Sequence, residues 1–92
     1  MKFEWDEEKN KVNIRKHGID FNDVPELFGH PMLTMLDVRS DYEEERWVGI
    51  GLLFGVVGVV VYMVKEDDII RIISARKANK REAKKYVEAI QN

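Results

Sequence analysis

Cysteine is absent from all 92 residues of the chain. That excludes a disulfide framework and a thiolate-ligated zinc site, and it permits a reducing cytoplasm. Histidine is nearly as scarce, with only His17 and His30. No carboxylates stand at metal-ligand spacing from either, so neither a metal nor another cofactor is expected. A Gly-rich phosphate loop, a Ser-His-Asp order, internal repeats and low-complexity linkers are all missing. The segment from Met1 to Glu8 is too acidic, and too short of an apolar run, for a signal peptide. The expected location is cytoplasmic.

What is present reads as one domain spanning residues 1–92. A hydrophobic fraction of 45% and a charged fraction of 35% fit a globular unit with a core and exclude a wholly disordered chain. Val48 to Val64 carries no charge over 17 residues, which touches the lower length limit of about 17 for a membrane-spanning helix. Its valines and its glycines (Gly49, Gly51, Gly55, Gly58) argue instead for two strands, with Gly55 where a hairpin turn would halve the run. A membrane-anchored interaction protein is the competing reading of this segment; the hairpin is preferred, and no membrane partner is expected.

Residues 2–5 read as a short lead strand. Asp6 is placed to cap a first helix, with acids in its first turn, Arg15, Lys16 and His17 in its last, and Gly18 as its stop. Apolar residues inside that helix are few (Val12, Ile14), so Trp5, Ile19 and Phe21 must help anchor it. A second, short helix is expected after an Asn22 or Asp23 cap, with Pro25 in its first turn and Glu26 at capping-box spacing. Its core face is Val24, Leu27 and Phe28. Four strands follow, Met32–Val38, Arg46–Phe54, Val56–Val64 and Ile69–Ala75, with an acidic connection at Ser40–Glu45 and a polar loop at Lys65–Asp68. The later strands look apolar on both faces, as in a sheet covered on both sides or contacted by a partner. Asn79 caps a final helix whose apolar stripe (Ala83, Tyr86, Val87, Ile90) opposes Lys80, Arg81, Lys84 and Lys85. The expected fold class is α+β: a lead strand, two N-terminal helices, an antiparallel β-meander and a C-terminal helix.

Net charge is only −2, yet the charge is polarised. Residues 71–85 hold seven basic side chains (Arg71, Arg76, Lys77, Lys80, Arg81, Lys84, Lys85) against Glu82 alone, while the rest of the chain holds eight basic and sixteen acidic ones. A field of one sign on one part of a fold attracts a polyanion. The plainer reading is the solvated face of a helix.

Two segments taken together are more specific. The first is Phe3-x-Trp5-Asp6-x-x-Lys9 with Asn13-x-x-Lys16-His17-Gly18-Ile19-x-Phe21 and then Phe28. The second is Arg71-Ile-Ile-Ser74-Ala-Arg76-x-Ala78, followed by Glu82 and Tyr86. In this order they resemble the BrnT family of bacterial toxins, over essentially the whole chain; residues 32–66 match only as a pattern of strands. The resemblance implies a RelE-like fold and the toxin of a type II toxin–antitoxin system, a metal-independent endoribonuclease that cleaves RNA and arrests growth. It also implies a neutralising BrnA-like antitoxin, through which alone operator DNA would be bound. A homodimer within the toxin–antitoxin complex suits the apolar middle strands.

Metal-free RNA cleavage must deprotonate the ribose 2′-hydroxyl, protonate the leaving 5′-oxygen and stabilise charge on the phosphoryl oxygens between them. Histidine is the side chain whose ordinary titration lies near neutrality, which suits His17 to proton transfer. A guanidinium offers planar, bidentate donors, which suits Arg71 and Arg76 to phosphate. Lys16 serves as a phosphate contact or, beside other cations, as a proton donor. These four are the expected catalytic residues, with Arg46, Lys77, Lys80 and Arg81 as RNA contacts. Each has a structural alternative. His17 could simply cap a helix end, Arg71 could salt-bridge Asp37 or Glu4, Arg76 could be an ordinary surface residue, and Arg46 could neutralise Glu43 to Glu45. Trp47 and Tyr62 suit base stacking, although aromatics in strands are more often core, and Trp5 suits a staple at the first helix. The alternative of a different class is a non-catalytic nucleic-acid-binding module that uses the 71–85 patch for phosphates.

Overall fold

Asp6 starts the first helix as its residue type dictates. In the computed structural model, which describes residues 1–38 and 44–91, its Oδ1 accepts from the backbone N–H of Glu8 at 2.8 Å and of Lys9 at 3.3 Å. This helix, α1 (Glu7–His17), follows the lead strand β1 (Lys2–Glu4) and closes with the N–H of Gly18 on the carbonyl of Ile14. As expected, Trp5, Ile19 and Phe21 at its two ends pack into the core, and polar contacts add to that anchoring. Val12 and Ile14 are each 42% exposed, and the buried residues of α1 are Asn10 and Asn13. Asn10 accepts from the N–H of Phe21 at 2.8 Å and donates to Asp20 at 2.9 Å, so side-chain amide hydrogen bonds fasten the helix together with those apolar end contacts.

The next cap is Asp20, not Asn22 or Asp23. Its side chain accepts from the N–H of Asn22 at 2.9 Å, because the chain enters a 3-10 turn (Phe21–Asp23) before α2 (Pro25–Phe28). Glu26 forms no capping box. It reaches His30 Nε2 at 2.6 Å and the N–H of Phe54 at 3.1 Å, tying α2 to the sheet.

Four further strands, β2 (Leu33–Leu36), β3 (Trp47–Leu53), β4 (Val56–Lys65) and β5 (Ile69–Lys77), join β1 in one sheet of order β1-β5-β4-β3-β2. Neighbours are antiparallel except β1, which lies parallel to β5. The charge-free run is the β3–β4 hairpin, and no helix among the described residues is long and apolar enough to cross a membrane. Most of the acidic connection expected at Ser40–Glu45 lies outside the described residues.

Both faces of the sheet are covered. On one, Phe21, Val24 and Leu27 pack over Val60, Tyr62 and Ile72. Gly51 permits that approach, since a Cβ there would lie 3.1 Å from Leu27 Cδ2. Tyr62 is buried edge-on against Phe28, with burial pushing its hydroxyl pKa up, and Trp47 packs on the same cluster. On the other face, Tyr86 of α3 (Lys80–Gln91) covers Ile50 and Val59 and donates to the carbonyl of Pro31 at 2.9 Å. Asn79 and Glu82 form a reciprocal capping box, each backbone N–H on the other's side chain at 2.9 and 2.8 Å. Only part of the α3 stripe is buried, for Val87 and Ile90 stay 42% and 40% exposed.

Candidate active site

β5 loses its strand partner on one side after Arg71, where β1 ends. Farther along that edge, the N–H and carbonyl of Ala75 are taken by the side-chain amide of Asn13, at 3.1 and 2.8 Å. An asparagine thus stands in for the missing strand and satisfies backbone groups that would otherwise be buried unpaired. It also holds α1 along β5. The last turn of α1, with Lys16 and His17, comes to lie beside Ser74, Ala75 and Arg76.

A β-bulge decides which way the side chains of β5 point. Val61 pairs with Ser74 but Tyr62 with Ile72, leaving Ile73 as the extra residue. Plain alternation puts Arg71 and Arg76 on opposite faces. With one extra residue between them, Arg71, Ser74 and Arg76 share the face of their partners Met63, Val61 and Val59, the face that α3 covers.

His17, Ser74, Arg76 and Glu82 line one cleft of about 430 Å³, with Val48, Val59 and Val61 supplying its apolar surface. Arg76 grips Glu82 through both ends of its fork, Nη1 to Oε1 and Nη2 to Oε2, each at 2.7 Å. That guanidinium pulls the Glu82 carboxyl down to about 2; partial burial opposes the shift and the N–H of Asn79 supports it. Lys16 and His17 line an adjoining depression of about 330 Å³ with Asn13, Ile73 and Ser74. An imidazole, a hydroxyl, a guanidinium and a carboxylate therefore surround one volume able to admit a phosphodiester.

The other candidates lie elsewhere. Arg71 donates to Glu4 at 2.8 Å, Lys65 donates to the same oxygen at 3.0 Å, and both cations hold that carboxyl below its usual range, Arg71 most strongly. Five residues of strand, at about 3.3 Å each, separate Arg71 from Arg76 by roughly 16 Å, and Arg71 lines neither depression. Arg46 precedes β3 with its carbonyl accepting from Asp37 N–H at 2.8 Å, and it too lies outside both. Lys77, Lys80 and Arg81 are exposed where β5 passes into α3. Among the described residues, no three His, Asp or Glu side chains converge as metal ligands. Sequence reasoning passed over Glu82, Ser74 and Asn13 as members of the site. A signal for Glu82 was its capping box with Asn79, which pins it close to the end of β5.

A family model described as a ribonuclease toxin, BrnT, of a type II toxin–antitoxin system matches residues 5–82. That span holds every residue of the cleft. No curated protein matches the chain. Among solved structures, the ribonuclease toxin BrnT of Brucella abortus matches with a TM-score of 0.70 and 30% sequence identity, over 87% of this chain and 99% of that one.

Proposed function

The chain belongs to the BrnT family of ribonuclease toxins of type II toxin–antitoxin systems, and we propose that it is an endoribonuclease that cuts RNA without metal in the cleft between His17 and Arg76. The observation that carries this reading is their convergence: residues from the end of α1 and the end of β5 line one volume. As the 2′-hydroxyl attacks the adjacent phosphorus, Arg76 holds the non-bridging oxygens on which charge builds. The incoming phosphate takes the place of the Glu82 carboxylate, since both anions fit the same two-pronged donor geometry. Glu82, released from the pair, regains basicity and accepts the 2′-hydroxyl proton, while His17 protonates the leaving 5′-oxygen.

Lys16 contacts phosphate from the neighbouring depression, and Lys77, Lys80 and Arg81 follow the RNA backbone. Lys80 and Arg81 stand in the first turn of α3, where cations oppose the helix dipole; a polyanionic ligand accounts for that local cost. Arg71 acts through Glu4, holding β1 in register, and Arg46 is at most a peripheral contact. The relation to RelE-like toxins, the cytoplasmic location and the growth arrest rest on the family likeness. So do the BrnA-like antitoxin that would carry operator DNA binding, and a homodimer within that complex.

The test is cleavage of RNA by the purified protein in EDTA, with 2′,3′-cyclic phosphate or 3′-phosphate ends and 5′-hydroxyls expected. Complete dependence on added Mg²⁺ or Mn²⁺ overturns the mechanism. Expression of the chain alone should arrest bacterial growth and co-expression of the neighbouring antitoxin should restore it.

A further inference from the structure

Leu53 and Val56 pair directly across the β3–β4 hairpin, so its turn is the two residues Phe54 and Gly55. Both have positive φ, 48° and 82°, as in a type I′ turn. The first of these positions ordinarily takes Asn, Asp or Gly, whose side chains tolerate the left-handed region; a phenylalanine there is strained. Phe54 is also 65% exposed, so core packing does not compensate. Glu26 holds the turn by accepting from the Phe54 N–H at 3.1 Å, and burial is not what keeps the ring in place. A strained, solvent-facing aromatic supported by an unrelated helix is the kind of local rule-breaking that marks a binding position.

The surroundings of that ring identify its ligand. Phe54 lines a groove of about 340 Å³ together with Ile19, Val57, Asp23, Lys77 and His17. His17 also lines the cleft that holds Arg76, so the groove continues that cleft. The geometry points to a nucleobase subsite: the base next to the scissile phosphate stacks on Phe54, Lys77 meets the backbone phosphate, and Asp23 accepts from an N–H on the base edge. A flat ring with apolar faces, polar edges and an attached anion fits this lining, which is apolar with one cation and one carboxylate. Trp47 and Tyr62 are held against the core, which leaves Phe54, among the described residues, the strongly exposed ring beside His17. The inference rests on the ribonuclease reading for its choice of ligand, but its test does not require cleavage.

A short RNA with 2′-O-methyl groups lacks the nucleophile and reports binding alone. Phe54→Asn installs a better turn residue, so its thermal midpoint should equal or exceed that of the parent. The same variant should bind the oligonucleotide about 5- to 150-fold more weakly, the range of one lost base stack. Phe54→Trp should restore binding. Among oligonucleotides made abasic at each position in turn, one should erase the difference between parent and Phe54→Asn. Equal binding of the intact oligonucleotide by both proteins overturns the subsite, as does an unchanged difference on every abasic oligonucleotide. Unaltered RNA binding with weakened antitoxin binding also overturns it, and assigns Phe54 to a protein partner. If the parent binds as described but never cleaves unmodified RNA, the ribonuclease reading fails while the subsite stands.

Discussion

At one end of β5, Arg71 donates to Glu4 at 2.8 Å with Lys65 on the same carboxylate; at the other, Arg76 grips Glu82 through both Nη atoms at 2.7 Å. Residue type, strand, face and partner type are shared. The difference is what closes the open edge of the strand. At Arg71 the neighbour is β1, a strand that spends its backbone on ladder hydrogen bonds. At Arg76 it is α1, attached through Asn13, and a helix end fans its last side chains outward. His17 therefore reaches the Arg76 end. An arginine in an ion pair is uninformative by itself; its neighbours decide whether it faces a cleft.

The comparison breaks or sharpens under four changes. Removing His17 should have the largest effect. His17→Ala should lower the cleavage rate by about 10²- to 10⁴-fold and flatten one limb of the pH–rate profile near neutrality. An unchanged profile would remove His17 from proton transfer.

Next comes the direct contest between the arginines. Arg76→Ala should lose about 10²- to 10³-fold in single-turnover rate, and Arg76→Lys should remain badly impaired because lysine keeps the charge but lacks the fork. Arg71→Ala and Arg71→Lys should stay within about threefold of the parent, with folding checked by circular dichroism. Equal losses at positions 71 and 76 would erase the distinction drawn between the two ends.

Asn13→Ala should destabilise the fold by about 2–4 kcal/mol in urea unfolding, since it leaves the N–H and carbonyl of Ala75 without their partner. Activity should fall alongside, because α1 then no longer holds His17 beside β5. Full stability in this variant would mean that the edge is closed by something other than the asparagine.

The smallest effect concerns acid. Glu82 titrates at about 2 in the folded protein against an ordinary 4.5. Its folded pKa is depressed, so its contribution is fully present above about pH 4.5 and disappears as pH falls through about 2. Glu82→Gln keeps the capping acceptor but loses the charge. It should cost about 1 kcal/mol at pH 7, discounted for the exposure of Arg76, and nothing relative to the parent near pH 2. A deficit that is constant from pH 7 to pH 2 would show that charge pairing with Arg76 contributes no stability.

Much of this molecule is readable residue by residue, because the interactions that set it span a few positions. Asp6 and Gly18 bound α1, Asn79 and Glu82 open α3, and Gly55 halves the charge-free run into two strands. Where the reading slips, a competing local interaction wins, as when Asp20 caps a 3-10 turn ahead of the position where Asn22 or Asp23 looked suitable. Family membership was also legible, since ordered motifs at both ends of the chain carry it.

The site itself belongs to tertiary structure. Nothing in the period of β5 announces that Ile73 is an extra residue, yet that bulge puts Arg71 and Arg76 on one face when alternation separates them. Nor does a buried asparagine in a polar helix advertise a partner 62 residues away, although the Asn13–Ala75 pair is what brings His17 to Arg76. Sequence alone determined the elements and their order, because caps, turns and alternation are contests among neighbours. Which side chains meet was decided only by folding, because register and edge closure are settled between segments distant in the chain, where a single inserted residue turns a side chain to the other face.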